Sequence, residues 1–587
     1  MSLTERLAKL SGPAVPVGVS RTARVSLTER LAGLTGGEAR VAVEKAPRES
    51  LTARLANVTG LPETPAPAVP AKPGPGLHAR MAEVYELLKQ TSPAPLTVPF
   101  AEWTPDRADF ANPGSTAANN VVPTIDGYGP MADLAAYSDA LDARAQGAVA
   151  AQDTDGNQHV YAGDAAKLYL MTGTAFADAS KSGGYSTPAD GAWEFEQFQQ
   201  TLIATNYIDP VQSVAVGGGT FADLITSSNK PKMKHIGVIG DFLVGGNTDD
   251  AVDGVRPGRI WWPGINDPTD FDPAAATQSD FQDQAAGGAV QKVVGGREYG
   301  LIFQERRISR MVFEGGGRIF RIDPIDRKRG TSIPGSVIGW GRFAFFIADE
   351  GFMLHDGIES IPIGHNKVDK TFWDQFDITN FHRVSVAVDP VNKLVVWAFP
   401  GSGNVAGAPN KLYIYNMIDQ RWSEADIDTE IVVRLTTQGF TLETLDTIGT
   451  DIDDSSIFPF SFDSRVYTGG QIKLGAFDTA HKLAFFDGAN LAATLETTEI
   501  QPATGRRSGV TSVRPLVDGG TITAAMASRA TLQESVAFGA ASAINANGEC
   551  PLRSEGRYHR ARVSIAAAGT WTHAQGVEIT AHPLGTQ

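Results

Sequence analysis

The chain has 587 residues, of which 42% are hydrophobic and 20% charged, with a formal net charge of −16. That length supplies roughly three to five average domains, or one large repetitive architecture with appendages. The charge argues against a protein that grips nucleic acid by counterion release, which needs a basic surface, but not against one past which DNA slides without sticking.

A single cysteine, Cys550, excludes an intramolecular disulfide framework, and no Cys or His cluster has zinc-ligand spacing. The N-terminus is charged from Glu5 onward and no run of 18 apolar residues occurs, so neither a classical export signal nor a membrane span is expected.

Residues 1–92 form an arm of repeats. "SLTERLAKL" (2–10) returns as "SLTERLAGL" (26–34) and "SLTARLANV" (50–58), with a looser copy, "GLHARMAEV", at 76–84. In each copy the apolar residues fall at i, i+4 and i+7. They are Leu3, Leu7, Leu10; Leu27, Leu31, Leu34; Leu51, Leu55, Val58; and Leu77, Met81, Val84. That spacing predicts one narrow stripe on a short helix. Ser2 with Glu5 and Ser26 with Glu29 read as capping boxes, while Ser50 keeps the cap but has Ala53 in place of the glutamate. Gly12, Gly36 and Gly60 stop each helix. A helix of about nine residues is marginal in water, so three buried side chains can hold it only against another surface. The repeats therefore read as docking peptides, joined by linkers whose root-mean-square span is near 21 Å.

From about residue 93 to 499 the texture changes to short β-rich runs broken by Gly, Asp and Asn, with 62 Gly and 34 Pro in the whole chain. Six stretches share a strand–turn–strand design. They are "HVYAGDAAKLYLM" (159–171), "HIGVIGDFLVGGN" (235–247), "YGLIFQERRISRMVF" (299–313), "RFAFFIADEGFMLHDG" (342–357), "KLVVWAFPGSG" with "NKLYIYNMIDQRW" (393–422), and "HKLAFFDGANLAATL" (481–495). Their irregular spacing predicts a β-propeller-like body of about six blades with long insertions. Residues 500–587 read as a small antiparallel β-domain, a sandwich. In its last third Tyr558, Arg560, Arg562 and Ser564 alternate with His559, Ala561, Val563 and Ile565, one polar face against one apolar face.

Catalytic signatures are missing: there is no serine elbow, zinc-protease motif or Walker A motif. "DTDGN" (153–157) starts like a calcium loop, but its glycine comes too early and the terminal glutamate is absent, so a hairpin turn is the better reading. "VGGGTF" (216–221) and "EGGGR" (314–318) lack the helix and lysine of a phosphate cradle and read as loops. Arg327, Lys328 and Arg329, like Arg506 and Arg507, read as solvated turns. Trp261 and Trp262 fit a division between core and interface better than a carbohydrate platform. Asp349 with Glu350, and Asp451, Asp453 and Asp454, are the dense carboxylates that a glycan-active protein would require, and nothing places two of them across a substrate. No enzymatic activity, metal or cofactor is expected.

Several stretches, in order, resemble one family. "WTPDRADFANPGSTAANNVVPTIDGYGP" (103–130), "RIWWPGINDPTDFD" (259–272), the run from "GLIFQERRISRMVF" through "GSVIGWGRFAFFIADEGFMLHDG", and "VSVAVDPVNKLVVWAFP" with "NKLYIYNMIDQRW" are similar in order and spacing to packaged-DNA stabilisation proteins of short-tailed phages (podophages). These form the tail nozzle, or tail hub. The likeness covers roughly residues 100–587 and leaves out the arm. It implies a virion protein made in the host cytoplasm, a homohexameric tube below the portal and the head-to-tail adaptor ring. Such a tube retains packaged duplex DNA, passes it at ejection, meets a tail needle or plug and carries tail fibres or spikes. Three near-identical arm peptides need three near-identical sites, so a trimeric fibre or spike, or successive adaptor subunits, is the expected docking partner. The alternatives are a β-propeller ligand-binding module holding a ligand at its central channel and a glycan-active tail protein.

Overall fold

The computed structural model describes residues 95–110, 112–437 and 472–584. The arm, with every one of its docking positions from Leu3 to Val84, lies outside the described residues, as do Asp451, Asp453 and Asp454. The described chain is mainly β, a propeller-like body joined to a sandwich.

Seven four-stranded antiparallel units follow one another among the described residues between 135 and 485. Blade I comprises Gly147–Gln152, Gln158–Gly163, Leu168–Thr172 and Ala175–Asp178. Blade II comprises Glu194–Phe198, Thr201–Thr205, Gln212–Ala215 and Ala222–Asp223. Blade III runs through Lys232–Ile239, Phe242–Asp250, Gly254–Trp262 and Asp280–Asp283. Blade IV runs through Val290–Val294, Tyr299–Gln304, Arg307–Phe313 and Phe320–Asp326. Blade V is Ile338–Trp340, Phe343–Ala348, Gly351–His355 and Ser360–Pro362. Blade VI is Ser385–Asp389, Leu394–Phe399, Lys411–Asn416 and Arg421–Ala425.

Blade VII takes three strands from the end of the ring, Ile431–Thr436, Ile472–Phe477 and Lys482–Phe485, and its outer strand, Ala135–Ala140, from the beginning. This exchange fastens the two ends of the ring and covers what would otherwise be an open sheet edge. The first strand of each blade abuts the first strand of the next, from I through VII and back to I, with Val294 of blade IV lying against Gly339 of blade V.

Seven blades stand where about six were expected from the sequence, and blade II is the one that no hairpin signature marked. Its first turn is Gln199–Gln200, with Gln199 at φ 53°, in place of the Asn-Gly or Asp-Gly that normally announces a tight hairpin. The other six runs each fall on a blade, although "HKLAFFDGANLAATL" ends in the sandwich strand Ala493–Glu496.

Strand alternation sends successive side chains to opposite faces, so each blade packs against both neighbours. Tyr161, Leu168, Trp193, Leu202 and Phe221 fill the seam between blades I and II, and Ile203, Met233, Leu243 and Trp261 fill the next. Each such side chain, fully buried, stabilises by roughly 1.5–3 kcal/mol. The largest core joins blades V and VI to the sandwich through Phe352, Trp397, Tyr413 and Trp422. Trp397 and Trp422 stack with centroids 5.7 Å apart, and their indole N–H groups donate to the carbonyls of Ser336 and Ile363. Gly351, at φ +124°, turns beside Asp369, where a Cβ would come within 2.1 Å of the carboxylate carbon.

One sandwich sheet continues blade VI through Ala117–Asn119, Ala493–Glu496, Tyr558–Ile565, Ile522–Arg529 and Ser542–Ala543. The facing sheet contains Leu96–Pro99, Val121–Thr124, Gly127–Pro130, Ala574–Pro583, Ser508–Val517 and Cys550–Gly556. Residues 96–130 thus enter the sandwich before the ring begins. The polar face expected on Tyr558–Ile565 is ion-paired: Arg560 meets Asp109 at 2.7 Å and Arg562 meets Glu496 at 2.6 Å.

Candidate functional site

Around the axis the seven first strands enclose a channel of about 1020 Å³. Spread along first strands that are mostly five or six residues, about 18 Å long, that volume leaves a passage on the order of 10 Å across. That is narrower than B-DNA, whose major and minor grooves alone are about 8.5 and 7.5 Å deep, so a duplex does not thread a single ring.

The channel's chemistry is concentrated on a few side chains. Glu194 of blade II accepts from His235 Nδ1 of blade III at 2.7 Å, from Lys292 Nζ of blade IV at 2.9 Å, and from the backbone N–H of Ile236 at 3.2 Å. One carboxylate therefore pins three consecutive blades at the axis. Burial works to raise its pKa, but Lys292 and His235 overcome it and hold Glu194 down to about 2. A carboxylate can only accept, so Nδ1 carries the imidazole proton. Burial also pushes the His235 pKa down, favouring the neutral ring. Two residues along the same strand face, Glu196 is pushed up to about 7 by burial, with Lys292 opposing and Glu194 reinforcing the shift.

Near the starts of the first strands lie Arg144, Asp190, His382 and Arg383. Arg144 donates to the carbonyl of Ala189 at 2.8 Å. Burial, and then the charge of Arg383, bring its pKa down to about 10. Burial lowers Arg383 as well. Glu430, the carboxylate that both arginines sense, is otherwise engaged, accepting from His481 Nδ1 at 2.6 Å and from the Ala145 N–H at 2.8 Å. The Ala145 contact ties blade VII to blade I, while the His481 contact stays within blade VII. Sequence reading singled out none of these residues, because each is a lone polar residue in a β-run and only ring closure brings them together.

The positions that it did single out are dispersed. "DTDGN" is the hairpin turn of blade I, where Asp153 Oδ1 accepts the N–H groups of Asp155 and Asn157. Trp261 and Trp262 are both buried, Trp261 facing blade II and Trp262 facing blade IV, so they form no exposed platform. Glu350 pairs with Arg329 at 2.9 Å in the turn of blade V. Among the described residues no group of three or more His, Cys, Asp or Glu is placed to hold a metal ion, and no helix is long and apolar enough to cross a membrane.

No protein-family model and no curated protein sequence matches the chain. Among solved structures it is similar to the computationally designed Ika8 protein, at 9% identity and a TM-score of 0.31, over 60% of this chain and 98% of that one. It is also similar to the extracellular domain of a protein described as a hybrid two-component system, BT4673 of B. thetaiotaomicron, at 10% identity and a TM-score of 0.34, over 69% of this chain and 47% of that one. Likenesses this shallow bear on neither function nor mechanism.

Proposed function

We propose that this chain is a structural virion protein, the tail nozzle or hub of a short-tailed phage. In that reading it assembles as a homohexamer below the adaptor ring, retains and then passes packaged DNA, and anchors fibres or spikes. One observation carries the reading. The stretches that resemble the nozzle family fall, in unbroken order, on blades III, IV, V and VI, and the stretch 103–130 that precedes them falls in the sandwich segment that leads into the ring.

The channel's width adds a constraint. Since duplex DNA does not fit through one ring, a DNA conduit has to be the space between subunits, and six copies are what the reading supplies. Particle mass tests it directly: six copies of a 62.3 kDa chain weigh about 374 kDa. Native mass spectrometry with negative-stain micrographs should show that mass and ring-shaped particles. A monomer at every concentration tried, with no rings, overturns the proposal.

A further inference from the structure

The axial channel holds more cationic charge than its own carboxylates balance. It is lined by Arg144, Lys234, Lys292 and Arg383 against Asp190, Glu194 and Glu196. Glu194 already has Lys292 and His235 as partners. At the end formed by the loops entering blades I and VI, Arg144 and Arg383 line the same cavity, and the charge of Arg383 works with burial to lower the basicity of Arg144. Arg383 Nε is closed off from solvent with no acceptor. The two carboxylate oxygens of neighbouring Glu430 are engaged by His481 and Ala145. Two half-buried guanidinium groups thus face one cavity, and the anion both sense, Glu430, is already hydrogen-bonded elsewhere. Forked guanidinium donors are also what recognises an oxyanion through paired hydrogen bonds. In an otherwise acidic protein, the low-dielectric walls of the channel focus this field inward.

We propose that this end of the channel is a binding site for a small oxyanion, a phosphoryl or carboxylate group carried by a molecule narrow enough for the channel, with Arg144 and Arg383 as its ligands and Lys234 setting the field beyond them. The site is independent of the nozzle reading, because it lies within one ring.

The test uses the full chain and two probes, inorganic pyrophosphate and citrate, titrated calorimetrically at about 50 mM salt, where screening is modest. Erythritol serves as the neutral control. At least one anion should bind saturably with a Kd of about 1 mM or tighter, and Arg383→Gln should weaken it at least tenfold, whereas Arg383→Lys, which keeps the charge but loses the fork, should weaken it less. Binding of pyrophosphate alone assigns a phosphoryl ligand, and binding of citrate alone a carboxylate. The ligand-free Arg383→Gln protein should melt no lower than the wild type, because it sheds a half-buried charge whose Nε has no acceptor. Three results overturn the site: no saturable binding of either probe up to about 10 mM, unchanged binding by Arg383→Gln, or a lowered melting temperature of that variant, which would make Arg383 a structural cation.

Discussion

Replacing Glu194 by Gln removes the carboxylate that joins blades II, III and IV while keeping its shape. In the folded protein Glu194 ionises near 2, against an ordinary value of 4.5. At 1.36 kcal/mol per pH unit, that difference is about 3 kcal/mol of stability. Because the folded value is depressed, the contribution is fully present above pH 4.5 and is lost as the pH falls through about 2. A folded body of about 490 residues has an unfolding entropy near 1 kcal/mol/K at its midpoint, so Glu194→Gln should lower Tm by about 3 °C at pH 7. At pH 3 the wild type has already lost more than half of the term, and the gap should close to about 1 °C. Adding Lys292→Met to Glu194→Gln should cost much less than Lys292→Met alone, since the two share one interaction. Scanning calorimetry at several scan rates makes the measurement, and extrapolation to slow scans removes the kinetic distortion expected of a large chain. If Glu194→Gln melts within about 1 °C of the wild type at pH 7, or its gap is the same at pH 3, the carboxylate does not pin the three blades together.

Glu196 works in the opposite sense. Its folded pKa is raised to about 7, so stability is fully present below 4.5 and is lost as the pH rises through 7, and Glu196→Gln should raise Tm at pH 8 but not at pH 4, which a thermal-shift pH series reads directly. At the ring closure the N–H of Leu483 donates to Ser138 Oγ at 2.9 Å across an irregular register. Ser138→Ala leaves that buried donor unpaired, which should cost about 1–3 kcal/mol and speed hydrogen exchange in Lys482–Phe485 and Ala135–Ala140 before other blades. For the arm, replacing Leu7, Leu31 and Leu55 by Asp one at a time should weaken attachment of the docking partner in steps. All three together should release it, because linking weak sites multiplies affinity by about 10²–10⁴, and a triple variant that co-purifies with its full complement of fibres and adaptor refutes the docking role.

The hairpins were legible because their information is local. Runs such as "KLVVWAFP" and "NKLYIYN" carry strand propensity, alternation and a turn within about twenty residues. Blade II defeated that reading because "FQQT" bends through a Gln in the left-handed region. The outer strand Ala135–Ala140 defeated it for another reason: its partner, Lys482–Phe485, is more than 340 residues away, and nothing in either segment encodes the other. The channel is the extreme case. Glu194, His235 and Lys292 are spaced 41 and 57 residues apart and each reads alone as an ordinary polar residue in a strand. Ring geometry alone makes them neighbours, so their chemistry is a property of the closed circle and of no segment within it.

The same closure redistributes the charge. Residues 1–92 hold twelve Lys and Arg against eight Glu, a net of +4, so the remaining residues carry −20. Inside the ring the balance is reversed: four cations meet three carboxylates, one of which, Glu196, ionises only near pH 7. Residues 438–471, with six Asp and Glu against Arg465, hold −5 of the −20, so the described residues carry −15, and an axis with no acidic surplus leaves that excess on the parts of the ring and sandwich outside the channel. For a single subunit that excess means solubility. For six subunits around a common lumen, as the nozzle reading has it, any part of it facing the lumen would form a wall that repels phosphate, while the basic arm would be drawn to acidic surfaces. The two requirements of such a device, a conduit that DNA does not stick to and arms that hold on to a protein partner, therefore call for opposite signs of charge, and the sequence segregates them at about residue 92.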